Sequence, residues 1–270
     1  MPFASSLKAY RDRLTRRSEV VPRTLERLTV ALAIGWAGTF FLAACLRILA
    51  SPRFVPVAED WLGLLGPYAL IALAPLAGFL LGEACFPRHA RLQPRGASLS
   101  QWGRWRKLKV GEARLHPLFG PAGFLASLLI GLLLNVGMRS FEFLIAIPAL
   151  TSQAPHWARE LFVMMGASVG VMAFFYMIAF AFALHSVTLF PRMLGFAWLL
   201  DILIQLLIAQ RIGAMSEVPT AVTAPLADLL RGNISRVLIS ALVWLPYLIL
   251  SERVNVTYRH RMRANDDFVR

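Results

Sequence analysis

The chain has 270 residues, 57% of them hydrophobic and 16% charged, with a mean hydropathy of +0.60, where soluble domains are about 45–50% apolar and about 25% charged. That balance excludes a soluble globular domain, a disordered chain and a secreted disulfide scaffold, and leaves an all-α, polytopic transmembrane helix bundle. The net charge of +13 would suggest nucleic acid in a soluble protein. In a membrane protein, basic residues collect on the cytoplasmic ends of the spans, so no nucleic-acid partner is expected.

A span needs about 20 mostly apolar residues, and six segments supply them. A basic tail, residues 1–27, leads into Leu28–Leu46, which carries no charge. Leu42-Ala43-Ala44-Cys45 has the form of a lipoprotein cleavage box. The long basic region before it and the apolar Leu46-Arg47-Ile48-Leu49 after it favour an uncleaved helix. Trp61–Gly82 is the second uncharged span and closes a two-helix hairpin, 28–82. The polar stretch 83–114 contains Trp102, Arg104, Trp105, Arg106, Lys107 and Lys109. Indole rings and cationic ends are both stable in the headgroup layer. A short in-plane helix on anionic lipid is therefore expected, with an acidic partner protein as the alternative. Leu115–Met138, Leu161–Phe190 and Met193–Gln210 follow. Arg236–Ser251 is short, and Gly232–Ser235 can extend it. Together these four form a core, 115–251, followed by a basic tail, 252–270.

Loop charges set the orientation. Of the 28 Lys and Arg, 21 fall on the side of the two tails and 7 on the other, so both termini are expected to be cytoplasmic.

Gly120-Pro121-Ala122-Gly123-Phe124-Leu125, Phe190-Pro191-Arg192 and above all Trp244-Leu245-Pro246-Tyr247-Leu248-Ile249-Leu250-Ser251-Glu252-Arg253-Val254 resemble a bacterial membrane family named as domain of unknown function 2569. The family usually has an aromatic after the Pro-Tyr pair and Lys before the Arg, where this chain has Leu248 and Glu252. The resemblance covers about 115–260. It implies a four-helix membrane unit in a bacterial inner membrane and no known reaction.

Asp201 is the strongest functional signal, because a carboxylate near the bilayer midplane is costly unless paired, protonated or facing water. Gln205, at i+4, shares its helix face. Depth matching places Ser127, Tyr176 and Trp244 at the same level and no Lys or Arg, so a neutral Asp201 joined to these groups by hydrogen bonds is expected. Such a cluster serves as interhelical glue, or alternatively as a proton relay or substrate site. Arg139 and Glu142, at i+3, are expected to pair near the outer interface. Gly123, Ser127 and Gly131, Gly78 and Gly82, and Gly166 and Gly170 recur every four residues, a spacing that lets helix backbones approach closely. His116, His156 and His185 have no metal partner at helical spacing, and no Gly-rich phosphate loop is present. No catalytic residue, metal or cofactor is therefore expected. The expected function is a non-catalytic accessory, scaffold or assembly subunit whose partners are lipids and other membrane subunits. A small-solute or proton-coupled transporter using the Asp201/Gln205 face is the alternative, and a lipid-acting enzyme the third reading.

Overall fold

The computed structural model describes residues 20–50, 61–86, 104–148, 150, 154–215 and 217–264. Six long apolar helices dominate them: α1 (Val20–Leu49), α2 (Trp61–Cys85), α4 (Phe124–Ala146), α5 (His156–Leu184), α6 (Phe190–Gly213) and α7 (Thr220–Leu250). The short helices α3 (Val110–Leu115) and α8 (Glu252–Arg259) complete the helical set. Strands β1 (Trp105–Lys107) and β2 (Arg261–Arg263) pair antiparallel, Trp105 opposite Arg263. The chain is thus a multi-pass all-α membrane bundle with one two-stranded ribbon.

Two helix boundaries differ from the sequence reading. The third span begins at Phe124, not Leu115. Gly120 and Gly123 hold left-handed backbone (φ 101° and 69°) between α3 and α4, and such turns break an otherwise continuous apolar run. The sixth span begins at Thr220, sixteen residues before Arg236. Polar side chains in its first half have partners, among them Asp228 with Arg231 at 3.6 Å, so the helix continues through a stretch too polar to be read as a span.

α5 is the central helix and packs most closely on α2. Gly166 faces Pro67 and Gly170 faces Leu70, while Gly78 meets the Phe174 backbone and Gly82 meets Ala181. The contacts advance together along both helices, which therefore run parallel. A Cβ on Gly82, Gly166 or Gly170 would come within 2.7 Å of the facing side chain. This is the close approach that small residues allow where lipid supplies little hydrophobic drive between helices. Gly131 plays no such part, since a Cβ there would meet nothing within 4 Å.

At one end of the bundle, called here the cap end, the chain's last described segment folds back. The Tyr258 hydroxyl donates to the Ala183 carbonyl (2.9 Å), the Gly120 N–H donates to Thr257 Oγ1 (3.1 Å), and Phe190 packs on Tyr258 with ring centroids 4.9 Å apart. Gly120 and Phe190 are thus both tied to the Thr257–Tyr258 end of α8. Helix α7 ends with unpaired carbonyls, as every helix does. Arg259 Nη1 donates to Leu248 O (2.8 Å), and Asn255 Nδ2 donates to Ile249 O (3.1 Å). Burial, together with the charges of Arg261 and Arg192, holds the Arg259 guanidinium down to about 10.

The basic segment 104–109 belongs to this cap. Residues 105–107 form a strand where an in-plane helix was expected, because the backbone of β2 offers a hydrogen-bonding edge. The Leu108 N–H donates to His260 O (2.8 Å), and the Arg261 guanidinium lies 4.8 Å from the centroid of the Trp105 ring. Arg104, Arg106, Lys107 and Lys109 are exposed. Trp102 lies outside the described residues.

Candidate functional site: a polar layer between two cavities

Two apolar clusters fill the bundle. One, toward the cap, includes Leu129, Val136, Met172, Trp198 and Val237; the other, toward the distal end, includes Phe143, Met165, Ile208 and Leu230. Between the clusters α4, α5, α6 and α7 each bury polar side chains: Ser140, Ser168, Asp201 and Gln205, and Asn233, with Arg139 beside Ser140. Asp201 lies about 17 Å along α6, close to its midpoint at 1.5 Å per residue.

Within this layer Asp201 is fully buried and accepts three hydrogen bonds. Arg139 Nη1 donates to Oδ2 at 2.6 Å, the Tyr176 hydroxyl to Oδ2 at 2.8 Å, and Gln205 Nε2 to Oδ1 at 3.4 Å. Asn233 Nδ2 donates in turn to Gln205 Oε1 at 3.4 Å. The direction of this chain is fixed at its end. Asp201 only accepts, so Gln205 presents its amide N–H there and its carbonyl to Asn233. Among the described residues Asn233 Oδ1 is left as a buried acceptor with no partner.

Several expectations are corrected here. A cation does reach Asp201: Arg139 Nη1 stands 2.6 Å from its Oδ2. The cause is the shifted start of α4, which moves its midpoint from Ser127 to Asn135 and brings Arg139 within one turn of it. Arg139 consequently does not pair with Glu142. Glu142 is held by Arg236, whose Nη1 lies 2.6 and 2.8 Å from its two carboxylate oxygens, across α4 and α7. Ser127 sits one turn into α4 and donates to Phe124 O (2.7 Å). Trp244 stacks on Phe124, with ring centroids 4.6 Å apart. Both belong to the cap end and not to the level of Asp201. Tyr176 and Gln205 are the expected partners that do touch it.

Two cavities flank the layer. The cap-end cavity, of about 110 Å³, lies among α4, α5, α6 and α7; its walls include Asn135, Arg139, Tyr176, Asn233, Arg236 and Ser240. The distal cavity, of about 20 Å³, is bounded by Glu142, Ser168 and Gln205 among others. Arg139 and Asn233 line both. Asn233 was missed in the sequence because it precedes the apolar run of α7. An amide four residues before Val237, on the helix face turned to Gln205, was the available signal. Among the described residues no group of three His, Cys, Asp or Glu is placed to hold a metal ion. Compared with family models, curated proteins and solved structures, the chain matches none.

Proposed function

We propose that this multi-pass membrane protein is a carrier for a small polar solute, moved along the interface of α4, α5, α6 and α7. The observation that carries this reading is the stacking of two cavities, of about 110 and 20 Å³, on either side of one buried layer, with Arg139 and Asn233 in the walls of both. Charged groups at membrane depth face cavities or one another and mark solute paths. A purely structural ion pair needs no cavity on either side. In this reading the Arg139–Asp201 pair is the barrier, and the solute passes when the pair parts. The basic bias of the tails supports a cytoplasmic cap end, and the family resemblance supports a bacterial inner membrane. The exposed Arg104, Arg106, Lys107 and Lys109 then face anionic headgroups.

The test is thiol labelling in membranes after Cys45 and Cys85 are replaced by Ser. Ser240→Cys should react with an impermeant reagent added on the cap side, and Ala146→Cys with one added on the opposite side. Breaking the central pair should make each reachable from both. Failure of either position to react would remove the carrier reading. An accessory subunit would instead co-purify with a stoichiometric partner under mild extraction, and a monodisperse monomer counts against it.

A further inference from the structure

Two arginines of the cap meet at one neutral oxygen. Asn255 Oδ1 accepts from Arg259 Nη1 at 3.0 Å and from Arg261 Nε at 2.8 Å. Arg261 is 9% exposed and Arg259 is half-buried, and Arg192 adds its charge to Arg259 from α6. Among the described residues no carboxylate pairs with Arg259. Its acceptors are Asn255 Oδ1 and the carbonyls of Leu248 and Ile249. Glu252, the one acid of α8, goes to Arg263 at 3.2 Å. The carbonyl end of α7 supplies about half an elementary negative charge, short of the two positive charges gathered there. Cations withdrawn from water are ordinarily paired.

Arg259 also has donors to spare. All its bonds come from Nη1. Among the described residues Nε and Nη2 make none, and neither is sealed inside the protein, so a group outside the bundle can reach them. Depth indicates which group. Leu248 and Ile249 belong to the last turn of α7, and Trp244 and Tyr247, whose rings suit the membrane interface, stand beside them on the same helix. This is the level of lipid phosphates. Basic pockets at the ends of spans bind anionic headgroups, and a guanidinium fork matches two phosphate oxygens at once.

We infer that Arg259 and Arg261 hold the phosphate of one anionic phospholipid at the cap end. The group they take is a singly charged phosphate diester. A zwitterionic headgroup would bring a further cation to a place already rich in them. The site is separate from the exposed Arg104, Arg106, Lys107 and Lys109, and it stands or falls independently of the carrier reading.

Full-length protein in an uncharged detergent is titrated with short-chain phosphatidylglycerol, with phosphatidylcholine of the same chains, and with inorganic phosphate, at fixed pH and ionic strength. Binding is read from the rise in melting temperature. Phosphatidylglycerol should half-saturate at a concentration at least about tenfold lower than phosphatidylcholine, because each basic residue facing an anionic headgroup adds severalfold. Arg259→Gln and Arg261→Gln should each erase most of that preference. Arg104→Gln with Lys107→Gln, which takes as much charge from the exposed ribbon, should leave it largely in place. Equal affinity of the wild type for the two lipids overturns the inference, even if Arg259→Gln does not fold. Full preference in both Gln variants, or its loss in the Arg104/Lys107 variant, overturns it as well, since the attraction is then diffuse. Inorganic phosphate stabilising as strongly as phosphatidylglycerol would assign the site to the free ion and overturn the lipid.

Discussion

Arg139 and Asp201 neutralise each other at a depth where neither charge is stable alone. Replacing Asp201 by Asn keeps size and hydrogen bonding but strands the guanidinium, whose side chain is 10% exposed. Breaking one side of a buried pair typically costs about 3–5 kcal/mol. Asp201→Asn is therefore expected to lower the melting temperature in detergent markedly, and Arg139→Gln added to it should restore part of the loss. If the double substitution is as unstable as the sum of the singles, the pair is not coupled. His260 offers a second test. Burial and, to a smaller extent, Arg114 lower it from its ordinary value of 6.5. The folded cap then holds the proton less readily than the unfolded chain, so stability is gained as pH rises and lost as pH falls through about 6.5 and below. Hydrogen exchange at the Leu108 amide, bonded to His260 O and corrected for intrinsic rate, should quicken between pH 7.5 and 5.5. His260→Asn, which tolerates the left-handed backbone at that position (φ 47°), should abolish the change.

Between helices the contrast lies among glycines. Gly170→Ala places a methyl against Leu70, and Gly78→Ala places one against the Phe174 backbone. A flexible side chain can move, but a backbone carbonyl in a central helix moves little. Gly78→Ala is thus expected to cost about 1–3 kcal/mol and Gly170→Ala less, while Gly131→Ala is neutral or slightly stabilising. Thermal melts of the three variants check the order, and a destabilising Gly131→Ala would refute it. The four-residue spacing was legible at all these positions, but which glycines touch a neighbour was not, because spacing says nothing of what lies opposite. The spans were legible for a stronger reason: lipid demands a long apolar run for each crossing. Their ends were less so. The Gly120–Gly123 turn and the polar first half of α7 each displaced a boundary, and depth was counted from those boundaries. Two wrong starts were enough to put Ser127 and Trp244 beside Asp201 and to leave Arg139 and Asn233 out.

At the scale of the whole molecule, one crossing for each of the six long apolar helices among the described residues would return the chain to its starting side. A reporter fused at residue 150 is expected on the outer face and one fused at residue 270 in the cytoplasm. Finding both on one side would refute the crossing number, and a C-terminal reporter outside would reverse the orientation. The β1–β2 ribbon bears on how this bundle is made. Strand β1 and the turn around Gly120 leave the ribosome early, directly after α2, yet their partners in β2 and α8 are synthesised only after four further spans have been threaded into the bilayer. The edge of β1 therefore has no β2 to pair with until α7 has been made. A nascent chain halted just after Leu250 would carry all six spans and still lack its seal. Protease sensitivity around Trp105 in such arrested chains, vanishing on release of the full-length protein, would report when the fold is complete.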